Sequence, residues 1–220
     1  MTIISIDFSI LYPGVCICRD FKEFSWLAVV NAKLSKKDQK RLEDIQLTYP
    51  NLKILFTETK REKSDQYHVT ERNKLTNYLE LTEVLIAEIK KQVPTSEDLI
   101  VSIEGISFGS SGNSLVNISQ ATGILKNKLV DSLLDGKTDR FFVFSPSELK
   151  NAIGCKGNAN KLDIYEKFKN DPIIDSVKGS DLHKAILKED WILSKDKIVS
   201  PIIDMIDSYL GVVKIHQLLK

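Results

Sequence analysis

The chain has few of the residues from which disulfide frameworks and zinc sites are built, and it lacks the long apolar run of a membrane span. Of its 220 residues, three are cysteine and three are histidine. Cys16, Cys18 and Cys155 are an odd number without metal-site spacing, and His68, His183 and His216 are scattered, so neither a disulfide scaffold nor a zinc site is expected. Cys16 and Cys18 are read instead as small hydrophobes on one face of a strand. No apolar run approaches the roughly 20 residues that a helix needs to cross a bilayer. Met1 leads straight into a strand-like run without a basic region or a small-residue cleavage site; the expectation is a cytoplasmic protein with no membrane partner. Neither sign of charge is in excess. Against 31 Lys and Arg stand 30 Asp and Glu, a net charge of +1, so a polyanion would have to be met by a local patch.

What is present is enough apolar material, 42% of the residues, for one domain spanning 1–220. Residues 3–8, 15–18 and 24–30 read as three consecutive strands, an antiparallel meander after the Pro13-Gly14 turn signal. Residues 31–72 are polar and mixed, with a short helix expected over 35–45 and a strand at 52–56. Apolar residues at helical spacing over 76–93 precede a strand at 99–104. A further helix is expected over 113–134, capped by Asn113 or Ser114, followed by a short buried strand at 141–144. Residues 171–200 interrupt this order before a final, strongly apolar helix led by Pro201. Strands alternating with helices after a meander predict a mixed α/β sheet with helices on both faces, carrying insertions near 31–72 and 171–200.

Four carboxylates sit where such a sheet would bring them together. Asp7 ends the run Ile3-Ile4-Ser5-Ile6, and Glu104 ends Leu99-Ile100-Val101-Ser102-Ile103. Asp204 and Asp207, three apart, share one face of the last helix, separated by Met205 and Ile206 rather than by polar residues. Acids in so apolar a setting repel one another unless a divalent cation neutralises them, and hard oxygen donors select Mg²⁺ or Mn²⁺. The pattern reads as a metal-dependent phosphodiesterase.

Five short elements in one order then match a known family. They are Ile3–Asp7, Ile103-Glu104, Gln120-Ala121-Thr122-Gly123, the pair Pro146-Ser147-Glu148-Leu149-Lys150 and Gly154-Cys155-Lys156-Gly157-Asn158-Ala159-Asn160-Lys161, and finally Asp204-Met205-Ile206-Asp207-Ser208. With these the chain resembles the RuvC family of Holliday junction resolvases, of the ribonuclease H-like superfamily. The resemblance implies a ribonuclease H-like mixed five-stranded sheet and a homodimer that cuts four-way or other branched DNA with two Mg²⁺ ions, for which Mn²⁺ substitutes. It implies Asp7, Glu104, Asp204 and Asp207 as metal ligands. Lys150 and Lys161 become catalytic lysines at the phosphodiester, and Phe108, Ser110, Ser111 and Lys156 further DNA contacts. The apolar face of residues 113–134 is a candidate for part of the dimer interface and could equally be core. Phe8-Ser9 follows Asp7 where bacterial members carry a small pair such as Pro-Gly, and Phe108 lies one position late for the aromatic expected at the junction centre, features of a divergent, phage-encoded or organellar branch.

Other readings use the same acids. A ribonuclease H-like nuclease acting on hybrid or linear DNA would keep all four. An actin-like or sugar-kinase ATPase half needs a Gly-rich phosphate turn after Asp7, which Phe8-Ser9-Ile10-Leu11 does not supply. A binding module without catalysis would have no use for a self-repelling cluster.

Overall fold

Three opening strands, β1 (Thr2–Asp7), β2 (Gly14–Arg19) and β3 (Glu23–Val30), form the expected antiparallel meander, with Asp20 and Phe21 at positive φ in the tight turn between the last two. They come from a computed structural model that describes residues 1–57, 65–93, 98–106 and 112–220. Helix α1 (Lys36–Thr48) starts where the Ser35 hydroxyl accepts the Asp38 N–H, and β4 (Leu52–Phe56) then runs parallel to β3. The order continues with α2 (Tyr67–Gln92), β5 (Leu99–Glu104), α3 (Asn113–Leu133) and β6 (Phe141–Phe144); β5 lies parallel to β1, and β6 parallel to β5. After α4 (Pro146–Ala152) and α5 (Lys161–Asn170), residues 171–200 form a 3₁₀ turn, α6 (Asp181–Lys188) and a hairpin of β7 (Leu193–Ser194) with β8 (Lys197–Ile198). Helix α7 (Ile202–Leu218) closes the order.

The sheet order is β4-β3-β2-β1-β5-β6, a mixed α/β sheet with helices on both faces. It has six strands where five were expected, because β4 adds itself outside the meander. Every strand except β2 runs in one direction, so β1, β3, β4, β5 and β6 all end at the same edge. Strand pleating divides the apolar residues by parity. Ile4, Ile6, Val15, Ile17, Leu27 and Val29 pack on α2 and α3, whereas Ile3, Cys16, Cys18 and Trp26 face α4, α5, α6 and α7. Both cysteines are fully buried, as a strand of small hydrophobes requires.

Helix α7 is apolar all round because it is enclosed, with β1, β2 and β5 on one side and α4 and α5 on the other. Its seat on the sheet is shaped by small residues. A Cβ on Gly14 would lie 2.2 Å from the Asp204 carbonyl oxygen, and one on Gly211 would lie 2.1 Å from Ser5 Oγ and 2.7 Å from Ser102 Oγ. Ser5 and Ser102 are register partners, so helix and strands meet at both points with no space for a methyl group. Residues 171–200 lean on the same helix: Tyr209 Oη accepts the Ile174 N–H at 3.0 Å, and Val177, Leu182, Ala185 and Ile186 enter the shared core.

Local expectations are corrected in four places. Helix α2 begins at Tyr67, nine residues before the periodic stretch, since its first turns are polar and show no apolar face. Gly112 occupies the cap of α3, and neither Asn113 nor Ser114 caps it. β6 is an edge strand, not a buried one, with Val143 47% exposed. The apolar side of α3 is spent on the core through Ala121, Leu125 and Leu129, which removes it as a candidate dimer face.

The two glycine positions separate packing from propensity. Gly211→Ala should lower the free energy of unfolding in urea by about 1–3 kcal/mol, the usual cost of overpacking. Gly123→Ala, on α3 with no heavy atom within 4 Å of the added Cβ, should raise it by up to about 1 kcal/mol through helix propensity alone. Equal effects in the same direction would show that α7 has slack over the sheet.

Candidate active site

Two of the four acids are delivered by strand register. Ile6 pairs with Ile103 across the parallel β1/β5 ladder, so the next residues, Asp7 and Glu104, emerge side by side at the common strand edge. The other two come from α7. Asp7 is paired with Gly14 on β2, and the backbone of Asp204 lies directly over Gly14, which sets the first turn of α7 beside Asp7. Asp204 is 5% and Asp207 9% exposed.

The lysines arrive through capped turns. Glu104 pairs with Phe144 on β6, and the next residue, Ser145, opens α4 with a capping box: its hydroxyl accepts from Glu148 N, and its own N–H donates to Glu148 Oε2 at 2.8 Å. Asn160 and Asp163 make a second box at the start of α5. Lys150 Nζ, in the last turn of α4, donates to the Ala159 carbonyl at 2.8 Å and so ties the end of α4 to the segment that leads into α5. Lys161, the first residue of α5, places Nζ 3.5 Å from Asp204 Oδ1 and 3.5 Å from Asp207 Oδ2. Gly154 takes a left-handed φ of +81 at the turn after α4, a conformation open to glycine, and Gly157 lies against Ser147 where a Cβ would be 3.2 Å from Ser147 Cβ. Both glycines therefore have a backbone role in holding this turn. Lys156 is exposed on it.

The charges press on one another. Burial pushes the Asp7 carboxyl well above its ordinary range, Asp207, Glu104 and Asp204 add to the rise, and Lys161 opposes it. Glu104 is raised from 4.5 to about 7 by burial and then by Asp207, against Lys150 and Lys161. Asp207 rises to about 6, again through burial first, with Lys161 pulling down and Asp204 pushing up. Asp204 is raised less, because Lys161 and a hydrogen bond from the Ser200 side chain oppose its burial. For Lys161, burial disfavours the charge, but Asp204, Asp207 and Asp7 together raise its pKa. Burial is the leading cause at every acid, and the two lysines offset only part of it.

A divalent cation fits these donors in kind. Asp204 Oδ2 and Asp207 Oδ1 are buried with no hydrogen-bond partner, a state that carboxylate oxygens rarely tolerate. All four groups are hard oxygen donors, the set that takes Mg²⁺ or Mn²⁺. Among the described residues, however, no three His, Cys, Asp or Glu side chains stand together as a ready coordination sphere, and the Lys161 ammonium is the cation that the α7 acids touch.

The structure thus brings Asp7, Glu104, Asp204, Asp207, Lys150 and Lys161 to one edge of the sheet. Phe108, Ser110 and Ser111 lie outside the described residues. Three neighbours were missed: Gly14, read only as a turn signal, Ser200, which bonds to Asp204, and Tyr12, whose pKa is raised by burial and by Asp204. Only the Pro13-Gly14 pair gave any sign of this in the sequence.

No protein-family model matches the chain, and no curated protein does. Among solved structures it is similar to Thermus thermophilus RuvC, at 14% identity and a TM-score of 0.43, and to T. thermophilus RuvC in complex with a Holliday junction substrate, at 14% identity and a TM-score of 0.44. Each alignment covers 99% of this chain and 96% of the other. The chemistry proposed below rests on this chain's own residues.

The raised carboxyl pKa values fix a sign for stability. An acid with a higher pKa in the folded state holds its proton more tightly there than in the unfolded chain. Its contribution is therefore fully present below the unfolded value and lost as pH rises through the folded one. For Glu104 and Asp207 that window runs from about pH 4 to about 7. With EDTA present, Glu104→Gln should be more stable than the parent at pH 8, by on the order of 1 kcal/mol, and the gain should vanish at pH 4. Denaturant melts at the two pH values measure this; a gain independent of pH would mean that packing, not charge, is responsible.

Proposed function

We propose that the protein is a structure-selective endonuclease that hydrolyses phosphodiester bonds in four-way or other branched DNA, with Mg²⁺ as cofactor and a homodimer as the working unit. The convergence of two strand-end acids, two buried helix acids and two lysines at one sheet edge carries this reading. Asp7, central among the acids, with Glu104, Asp204 and Asp207, would hold the metal, which when bound supplies Lewis acidity for water activation and leaving-oxygen stabilisation.

The remaining chemistry belongs to the chain. Lys161 and Lys150 face the same acids from α5 and α4, where their charges would stabilise negative charge developing on the transferring phosphoryl group. Asp204, whose second carboxyl oxygen has no partner, can orient a water molecule by accepting its proton in a hydrogen bond. Lys156, exposed on the α4–α5 turn, would meet the DNA backbone, and Phe108, followed in the sequence by Ser110 and Ser111, is the proposed wedge at the branch point. Two incisions related by a two-fold axis require two copies of the site, hence the dimer.

The test is a cleavage assay on a four-way junction, a Y-fork and linear duplex, with Mg²⁺ and with EDTA. Asp7→Asn and Glu104→Gln should abolish Mg²⁺-dependent cleavage of the junction while junction binding persists, since affinity comes from cations elsewhere. Near-normal turnover in either variant would remove the metal-site assignment. Equal cutting of linear and branched DNA would point instead to a general ribonuclease H-like nuclease.

Lys150→Ala and Lys161→Ala should each lower kcat by roughly 100-fold or more, the scale of losing one charge aimed at the transition state, with a smaller change in Kd. Single-turnover kinetics separate the two quantities. Equal weakening of binding to every DNA shape, with kcat unchanged, would make these lysines backbone contacts only.

A further inference from the structure

On the opposite layer from α7, a cleft of about 520 Å³ opens beside the acid edge. One wall is the loop that follows Asp7, represented by Ser9, Ile10 and Leu11; the other is formed by α2 and the first turns of α3. Leu11 is four residues from Asp7, so the wall lies within about 14 Å of that carboxyl along even a fully extended chain. From the geometry and chemistry of this cleft we infer that it is a nucleobase pocket: it takes one unstacked base of the DNA strand running past the acids. The inference rests on the nuclease reading of the neighbouring site.

The wall is built in advance. Asn31, buried at the end of β3, donates its backbone N–H to the Leu11 carbonyl at 2.8 Å and its side-chain N–H to the Ile10 carbonyl at 2.9 Å. Its amide oxygen accepts from Thr57 Oγ1 at 2.9 Å, and Ser9 Oγ accepts the Tyr12 N–H at 2.9 Å. A preformed wall avoids the ordering cost that a loose loop would charge to binding.

The lining fits a base rather than a phosphate. Ile10, Leu11, Ile118 and the Tyr78 ring give apolar surface for the flat faces. Asn77 and Asn117, on opposite helices, are half-buried in the cleft, and their side-chain amides make no hydrogen bond to other described residues, leaving donors and acceptors for a base edge. Among the described residues of the lining the one cation is Lys74, already engaged by Glu71 at 2.7 Å, and burial raises the Tyr78 phenol pKa and so favours its neutral form. With that charge matched, the described lining has nothing to draw in a phosphate. Leu11, 37% exposed on the wall although large and apolar, is the kind of side chain that a stacked base would cover.

The test uses the full chain in EDTA, so that binding is read without cleavage. Fluorescence anisotropy compares a single-stranded octamer that is abasic throughout with the same octamer bearing one adenine. The wild type should bind the one-adenine strand roughly tenfold tighter, the scale of one stacked and hydrogen-bonded base. In Asn77→Leu/Asn117→Leu, and separately in the surface variant Leu11→Ala, that ratio should fall toward one. Equal binding of the two strands by the wild type, no binding of either, or a ratio unchanged in both variants would overturn the pocket. Because no catalysis enters, the pocket can fail while metal-dependent cleavage stands, and an inactive protein that keeps the ratio would sink the nuclease reading instead.

Discussion

Everything at the acid edge depends on how closely α7 lies on the sheet. Gly14 admits the backbone of Asp204, and Gly211 fits between Ser5 and Ser102 seven residues later. Two contacts about 10 Å apart along the axis, at 1.5 Å per residue, fix both the height and the rotation of the helix. Once these are fixed, Asp204 and Asp207 have no choice of direction. They are set in a nearly dry position beside Asp7, and the charge conflict follows from packing rather than from any local preference of the acids.

That conflict explains the rest of the site. Isolated charges are costly to bury, and a protein without a compensating cation answers by holding protons, which is the direction in which all four carboxyl groups shift. Lys161 supplies part of the compensation by bridging the α7 acids, and Lys150 supplies a smaller part through its field. Both are placed by capping boxes within short helices, so their backbones are held by local hydrogen bonds independent of the acids. The unpartnered oxygens of Asp204 and Asp207 mark where compensation stops. A divalent cation is the remaining species of matching hardness and charge.

The parts of this arrangement that were legible in the sequence share one property: a periodic pattern that ends on a polar residue. Apolar runs stopping at Asp7 and Glu104 revealed two buried strands and their exits, and the strongly apolar helix carrying Asp204 and Asp207 near its start revealed its enclosure. The strand at 52–56 was visible, but its pairing outside the meander was not, because nothing in five residues says which neighbour they choose. The first turns of α2, from Tyr67 to Arg72, are too polar to show a face. The apolar side of α3 was equally compatible with a core and a partner, since periodicity states that a face is buried and not against what. Gly14 and Gly211 carried the largest structural consequence and the least signal: close backbone approach leaves no trace in a sequence beyond the glycine itself.

Whether these four carboxylates form a divalent-cation site is settled by direct counting of bound metal, without reference to any substrate. Free Mn²⁺ measured by electron paramagnetic resonance, titrated with the wild-type protein and with Asp7→Asn/Asp207→Asn, gives the stoichiometry. A four-carboxylate cation site requires saturable Mn²⁺ binding by the wild type, displaced by excess Mg²⁺ and lost in the double variant. Binding of equal strength in both proteins, or none in the wild type at millimolar Mn²⁺ and neutral pH, would contradict it.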